Sequence, residues 1–283
     1  MDAVVYVNKP LKKINGTLFY CFEYFIFLKQ FLPNLKFIFL YDSGSSYFRD
    51  VDDSVDIEYF KNIFKEKYQF EHKHLDDIID MKPIKFMSSS VENVLMFDVH
   101  SYKVSMDYFG RTKRVLLYCN KPDGEKYFNK RPDRDIFYGW YENYQFFNVK
   151  TRLKLFKEMH KTSNIRGDKI FITSPNADNN QIVKILNLNI GDVYLKDANK
   201  HMQNMFEKIK KIVYWHSGSN DANNRIIVES LIHGIPIDIH VNGFENDSVY
   251  DRKMLIENGQ MDELFLDEND VMIRDFLNIC KAD

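Results

Sequence analysis

Residues 214–238 read YWHSGSNDANNRIIVESLIHGIPID, and the fold turns on how this stretch divides. The apolar run KIVYWH (211–216) breaks at SGSND, and a helical pattern follows up to Gly234. A glycine just past a helix with a proline two residues later is the expected order at a C-terminus. A second apolar run, IPIDIHV, starts at Ile235. The stretch is therefore a strand–loop–helix–strand unit. Asp221, Arg225 and Glu229 fall at steps of four, which places them on one face of a helix.

Two explanations compete for that charged stripe. The plain one is a solvated face stitched by i,i+4 ion pairs, each worth roughly 0.2–0.5 kcal/mol. The other follows from position. The SGSND loop, with Gly218, stands where a strand ends and a helix begins. Unsatisfied backbone N–H groups and the helix dipole favour a phosphate there. Arg225 can add a bidentate charge to a diphosphate. Glu229 is an acceptor-only group suited to paired ribose hydroxyls.

The same alternation of elements runs along the chain. AVVYV (3–7), KFIFLYD (36–42), NVLMFDV (93–99) and RVLLYCN (114–120) read as strands, with helices predicted over 17–32 and 55–68. Between Lys121 and Asn148 the pattern is lost in a stretch rich in Pro, Gly, Lys, Arg and aromatics. A helix is predicted over 149–160. KIFIT (169–173) restarts the alternation, followed by a helix ending near Leu188, a strand DVYL (192–195) and a helical ANKHMQNMFEKIKK. A last helix is predicted from Asn269 to Cys280. This order implies an α/β protein of two Rossmann-like domains facing a cleft. The expected division is 1–150, 151–265 and a C-terminal helical segment, 266–283, packing back on the first domain.

Composition narrows the classes. The chain has 283 residues, 45% hydrophobic and 28% charged, with a formal net charge of −2, enough apolar content to bury a core. That charge argues against a surface built wholly for nucleic acid. Cys21, Cys119 and Cys280 are odd in number and far apart, so a disulfide framework or zinc ribbon is unsupported and a cytoplasmic setting is expected. The most apolar segment, TLFYCFEYFIFLKQFL, holds Glu23 and Lys29 and falls short of the ~20 apolar residues of a membrane span. No signal peptide is read at the N-terminus. Usage skewed towards Lys, Asn, Ile, Phe and Tyr suggests an AT-rich genome such as that of many phages.

Motifs exclude further classes. Neither G-x-G-x-x-G nor G-x-x-x-x-G-K-[ST] occurs, and no G-x-S-x-G elbow is present. EHKHLDD (71–77) offers His72, His74, Asp76 and Asp77, but reads as a solvated polar stretch rather than a metal site. Asp50 and Asp52 form a D-x-D that helix capping explains more simply. No metal ligand is assigned.

Asp221 and Glu229, with seven residues between them and Gly234-x-Pro236 beyond, resemble the E-x7-E and G-x-P signature of nucleotide-sugar glycosyltransferases of the GT-B fold. The resemblance spans about 169–243, and before 150 it is only topological. It implies a nucleotide-sugar donor, expected to be a UDP-sugar, held without an obligatory metal. By that likeness Glu229 binds the ribose, Asn223, Asn224 and Arg225 face the diphosphate, and Asp221 lies near the transferred sugar. Residues Tyr194 to Lys196 then flank the base, and Gly16 resembles the glycine of the loop facing donor and acceptor. Relatives often place a cleft-lining His where His100 stands. Asp98 or His100 is the best-placed general base if the enzyme inverts; the signature leans towards retention. Two departures stand out. Asp221 is one methylene shorter than the usual Glu, and SPNADNN occupies the place of the family's Arg…Lys pair, a charge that Arg225 with Lys196 can replace.

Residues 100–135 hold nine Lys or Arg against five acids, interleaved with Tyr108, Phe109, Tyr127 and Phe128. Lys121, Lys126, Lys130, Arg131 and Arg134 are candidates for a phosphate backbone, with aromatics stacking on unpaired or flipped bases. An ordinary solvated surface explains the same residues. Together with the fold, the segment looks like phage enzymes that glycosylate hydroxymethylated bases in DNA. Two other readings stay open: a glycosyltransferase acting on a polysaccharide or small molecule, and a non-catalytic nucleotide- or DNA-binding protein.

Overall fold

The structure is a computed structural model. It describes residues 1–8, 16–41, 61–62, 76–81, 85–86, 88–97, 112–119, 136–139, 152–153, 167–174, 178–194, 206–216, 225–241, 248–266 and 269–282. The chain forms two compact units, Met1–Phe147 with Asp267–Asp283, and Asn148–Leu266. Both are built on parallel sheets. Among the described residues no helix is long and apolar enough to cross a membrane.

The first unit holds a six-stranded sheet of β1 (Ala3–Asn8), β2 (Lys36–Tyr41), β3 (Ile78–Met81), β4 (Asn93–Phe97), β5 (Arg114–Cys119) and β6 (Ile136–Gly139). Its order is β3-β2-β1-β4-β5-β6, every pairing parallel. The order reverses beside β1, which makes the carboxyl ends of β1 and β4 a topological switch point. Parallel strands are buried on both faces, so each residue parity has its own core. Ala3, Val5, Ile38, Leu40, Val94, Met96 and Val115 pack with Phe86 and Val91 on one face. On the other, Phe37 meets Phe22 and Phe25 of α1 (Gly16–Leu28) edge-on at 6.1 and 5.5 Å.

Residues 21–29 are all buried, so the later turns of α1 are covered all round, which accounts for their near-continuous apolar sequence. Lys29, just past the helix, is 5% exposed. Its ammonium meets Asp77 at 2.8 Å and also donates to the Pro33 carbonyl. Lys36, the first residue of β2, pairs with the same carboxylate. Burial alone would raise the Asp77 pKa, but hydrogen bonds and charge from the two lysines outweigh it and hold the group below its ordinary value. Asp77 is thus an internal counter-ion, not part of a solvated stretch. His72 and His74 lie outside the described residues, as do Asp50 and Asp52.

The second unit holds β8 (Lys169–Thr173), β9 (Val193–Tyr194), β10 (Ile209–His216) and β11 (Ile237–Val241) in the order β11-β10-β8-β9, again parallel. Here the switch point lies between β8 and β10. Helix α2 (Asn179–Ile185) follows β8, α3 (Arg225–Ile232) follows β10, and α4 (Ser248–Glu257) follows β11. A separate two-stranded pair joins β7 (Arg152–Leu153) to β12 (Phe265–Leu266). Helix α5 (Val271–Lys281) belongs to the first unit. It is capped by Asp270, which accepts from the Met272 and Ile273 N–H groups, and it buries Met272, Ile273, Phe276 and Leu277 along one stripe.

Four expectations need correction. The helix expected over 149–160 is replaced at its start by β7, because Arg152 and Leu153 find a partner over a hundred residues away. The stretch taken as patternless contains β6, whose IFYG is strongly β-forming but sits among loop-type residues. β3 was not foreseen; IIDM is short and follows two aspartates. The helix expected through Lys211 stops short, since β10 opens at Ile209. A register irregularity between Ile209 and Lys211 makes that strand mimic a helix. The bulge brings Ile209 and Ile212 to one face at a three-residue spacing, the spacing of a helical stripe.

Candidate functional site

The candidate site is the carboxyl edge of the second sheet, where ligands of open parallel sheets bind. Its inner face, under α3, is built in rungs. Tyr194, Phe171, Ile212 and Ile237 are neighbours in one rung, Thr173, Tyr214 and Ile239 in the next, and His216 and Val241 in the last. Ile226 and Ile227 of α3 close this core, so the helix seats itself on the sheet by its first turn.

Burial along α3 is nearly complete. Residues 226–230 are all buried, and Glu229 is 4% exposed. Ile226 and Ile227 face the sheet, while Val228 and Ile232 pack with Leu264 and Phe265. The Ser230 hydroxyl is satisfied by the Ile227 carbonyl at 2.6 Å. A carboxylate at 4% exposure is not on a solvated face. Position 225 lies one turn before it, as the first residue of the helix.

The helix ends as its sequence dictates. Gly234 has φ +62°, its N–H bonds to the Leu231 carbonyl at 3.1 Å, and the Ile235 N–H bonds to the Ser230 carbonyl at 2.8 Å. These two bonds and the left-handed glycine form a Schellman motif. Pro236 then presents its carbonyl to the Ile212 N–H at 2.9 Å, which aims the chain into β11.

The turn after β8 differs chemically. Asp178 caps α2, its carboxylate accepting from the Asn180 N–H at 3.0 Å, while the Gln181 and Ile182 N–H groups bond to the Asp178 carbonyl. An internal acid therefore serves this turn. Arg225 opens the helix on the β10 side of the switch point.

Tyr194 is partly buried and meets Phe171 edge-on at 6.4 Å. Gly16 is the first residue of α1, at the switch point of the first sheet. Asp98, His100, Lys196, Gly218, Asp221, Asn223 and Asn224 lie outside the described residues, as does the side chain of Arg225. The same holds for Lys121, Lys126, Lys130, Arg131 and Arg134. Sequence reading passed over His216, which is 0% exposed at the carboxyl end of β10 and stacks on Tyr214 with centroids 6.3 Å apart. Its signal was available: it is the polar end of an otherwise apolar inner face, Ile212–Tyr214–His216. On the opposite face, Trp215 stacks on His240 at 5.3 Å, and Lys211 pairs with Asp238.

These features define the class: an α/β protein with two parallel, Rossmann-like sheets, each with its own switch point. No known family model matches the chain, and no curated protein is significantly similar to it.

Proposed function

We propose that the protein is a nucleotide-sugar glycosyltransferase of the GT-B type. The observation that carries this reading is Glu229, a carboxylate buried in the helix that follows the switch-point strand, ahead of a structurally required Gly234. Burying a carboxylate is costly unless polar partners compensate it. The second turn of a helix at the ligand edge of a parallel sheet is a place where a carboxylate, an acceptor-only group, can accept from ribose hydroxyls.

In this reading Glu229 accepts from the donor ribose, and Arg225 with the start of α3 neutralises the diphosphate as it leaves. Tyr194 and Lys196 flank the base, while Asn223, Asn224 and Gly218 line the phosphate path. No obligatory metal is needed, because Arg225 takes the charge-neutralising role. The first unit takes the acceptor, with Asp98 or His100 as base should the reaction invert. We assign the acceptor as DNA carrying a hydroxymethylated pyrimidine, because an exocyclic hydroxyl supplies the nucleophile an unmodified base lacks. The basic, aromatic-rich segment around Lys121–Arg134 supports that assignment.

The test is a panel of nucleotide sugars scored for nucleotide release, with and without hydroxymethylcytosine DNA, followed by mass spectrometry of the nucleosides. Sugar on the modified base is the expected product. Transfer only to an oligosaccharide or small hydroxyl compound would remove the DNA acceptor and keep the enzyme class. Because Glu229 is buried, Glu229→Gln is the informative variant: it keeps the volume and removes the charge. With Arg225→Ala, it should weaken nucleotide-sugar binding about tenfold or more by calorimetry. Unchanged affinity in both would refute the donor site.

A further inference from the structure

We infer that the β7–β12 pair is a strap coupling both chain connections of the second unit to the helix that carries Glu229, an inference that rests on the glycosyltransferase reading above. The chain enters this unit at Asn148 and leaves it at Leu266. Strand β7 opens soon after the entry, and β12 ends at the exit. The two run parallel, with Arg152 in register with Phe265 and Leu153 with Leu266. They belong to neither of the larger sheets. A two-stranded ladder of two residues a side is marginal by itself. It stands because packing holds it, and that packing shows what it is tied to.

Leu264 and Phe265 are 0% and 3% exposed and form one cluster with Val228 and Ile232 of α3. Val228 precedes Glu229 in the chain, and Ile232 lies one turn beyond it. Leu231 of α3 and Leu255 and Ile256 of α4 pack on the same cluster, so both helices grip the segment that becomes β12. Beyond Leu266 the chain leads to α5, a helix of the first unit whose Ile273 and Phe276 are 0% exposed. The tether from Phe265 to Ile273 is therefore anchored in apolar packing at both ends. Close-packed side chains transmit a displacement, because a shift of Phe265 must be followed by Val228 or leave a void. Coupling of this kind is reciprocal. A donor held by Glu229 steadies the strap, and a loosened strap weakens the hold on the donor.

The experiment is amide hydrogen exchange of the full chain, read by mass spectrometry with and without UDP, alongside UDP affinity by calorimetry. In the wild type, UDP should slow exchange over 152–153 and 264–266 about fivefold or more, the low end of typical couplings between sites. The slowing should exceed that in α2. Leu153→Pro removes an N–H from the ladder and leaves Leu264, Phe265, Val228 and Ile232 in place. It should weaken UDP binding by about the same factor and abolish the slowing at 264–266. Phe265→Ala, which also trims the cluster, should lose more. If either substitution unfolds the chain, the wild-type exchange pattern decides by itself. UDP binding with exchange unchanged in both strands overturns this inference alone. Equal slowing throughout the second unit does the same, because it marks general tightening. So does wild-type affinity in a folded Leu153→Pro. A wild-type protein that binds no UDP overturns the UDP site and this inference together.

Discussion

The amino ends of the strands are tied by charge in the first unit and by close backbone approach in the second. In the first, Asp77 lies between Lys29 and Lys36, so the end of α1 and the starts of β2 and β3 converge on one carboxylate. In the second, Gly167 lies against the backbone of Lys208, where a Cβ would sit 1.9 Å from the Lys208 carbonyl oxygen. The Lys169 N–H then bonds to that same carbonyl at 3.3 Å. A clasp made of charges responds to pH and fails when one partner is removed. A clasp made of sterics ignores pH and fails when an atom is added.

The largest expected effect is on the charged clasp. Asp77→Ala leaves the buried Lys29 ammonium without its counter-ion, a loss on the order of 4 kcal/mol in chemical denaturation. Lys29→Met combined with Asp77→Leu should cost far less, because no buried charge is left unpaired and the partly exposed Lys36 can be solvated. The pH dependence has a definite sign. The folded pKa of Asp77 is lowered from an ordinary value of 3.8, so its contribution is fully present above that value. The contribution is lost as pH falls through the lowered folded value. An acid titration of stability should lose this step in the double variant.

Next comes the steric clasp. Gly167→Ala must push the Lys208 backbone away from the start of β10, at about 2–3 kcal/mol, with no change in the acid profile. A smaller loss than that of Gly234→Ala would show that the Lys208 segment yields easily and that the second unit has no rigid clasp. Gly234→Ala itself should cost roughly 1–2 kcal/mol, since a Cβ is disfavoured at φ +62°. Thermal midpoints of the three single variants would rank the clasps directly.

The two units also place their buried ionisable groups differently, and this bears on how the site was read. Glu23 within the apolar helix and Lys29 just past its end are visible in sequence as exceptions to an apolar run. In the second unit, Arg225 and Glu229 were legible as part of a stripe and Gly234 as a stop, because each rests on spacing within a dozen residues. His216 carried only the weaker signal of a polar end to an apolar face, since one histidine at the end of a run has no periodicity. The burial of Glu229 was also beyond reach, as spacing shows which face a residue is on but not what covers that face.

By itself, the sequence determined the strands at Ala3, Lys36, Asn93, Arg114, Lys169 and in IPIDIHV, the helix that carries Glu229 and stops at Gly234, and hence an α/β chain. In these segments local preference and apolar content agree over a full element. Only the tertiary structure decided that Ile78–Met81, Ile136–Gly139 and Arg152–Leu153 are strands. These are two to four residues long, too short to show a period, and each is held by hydrogen bonds to a strand elsewhere in the chain. The same holds for Asp77. Its neighbours in sequence suggested solvent, and it became a counter-ion because folding brought two lysines to it from 41 and 48 residues away.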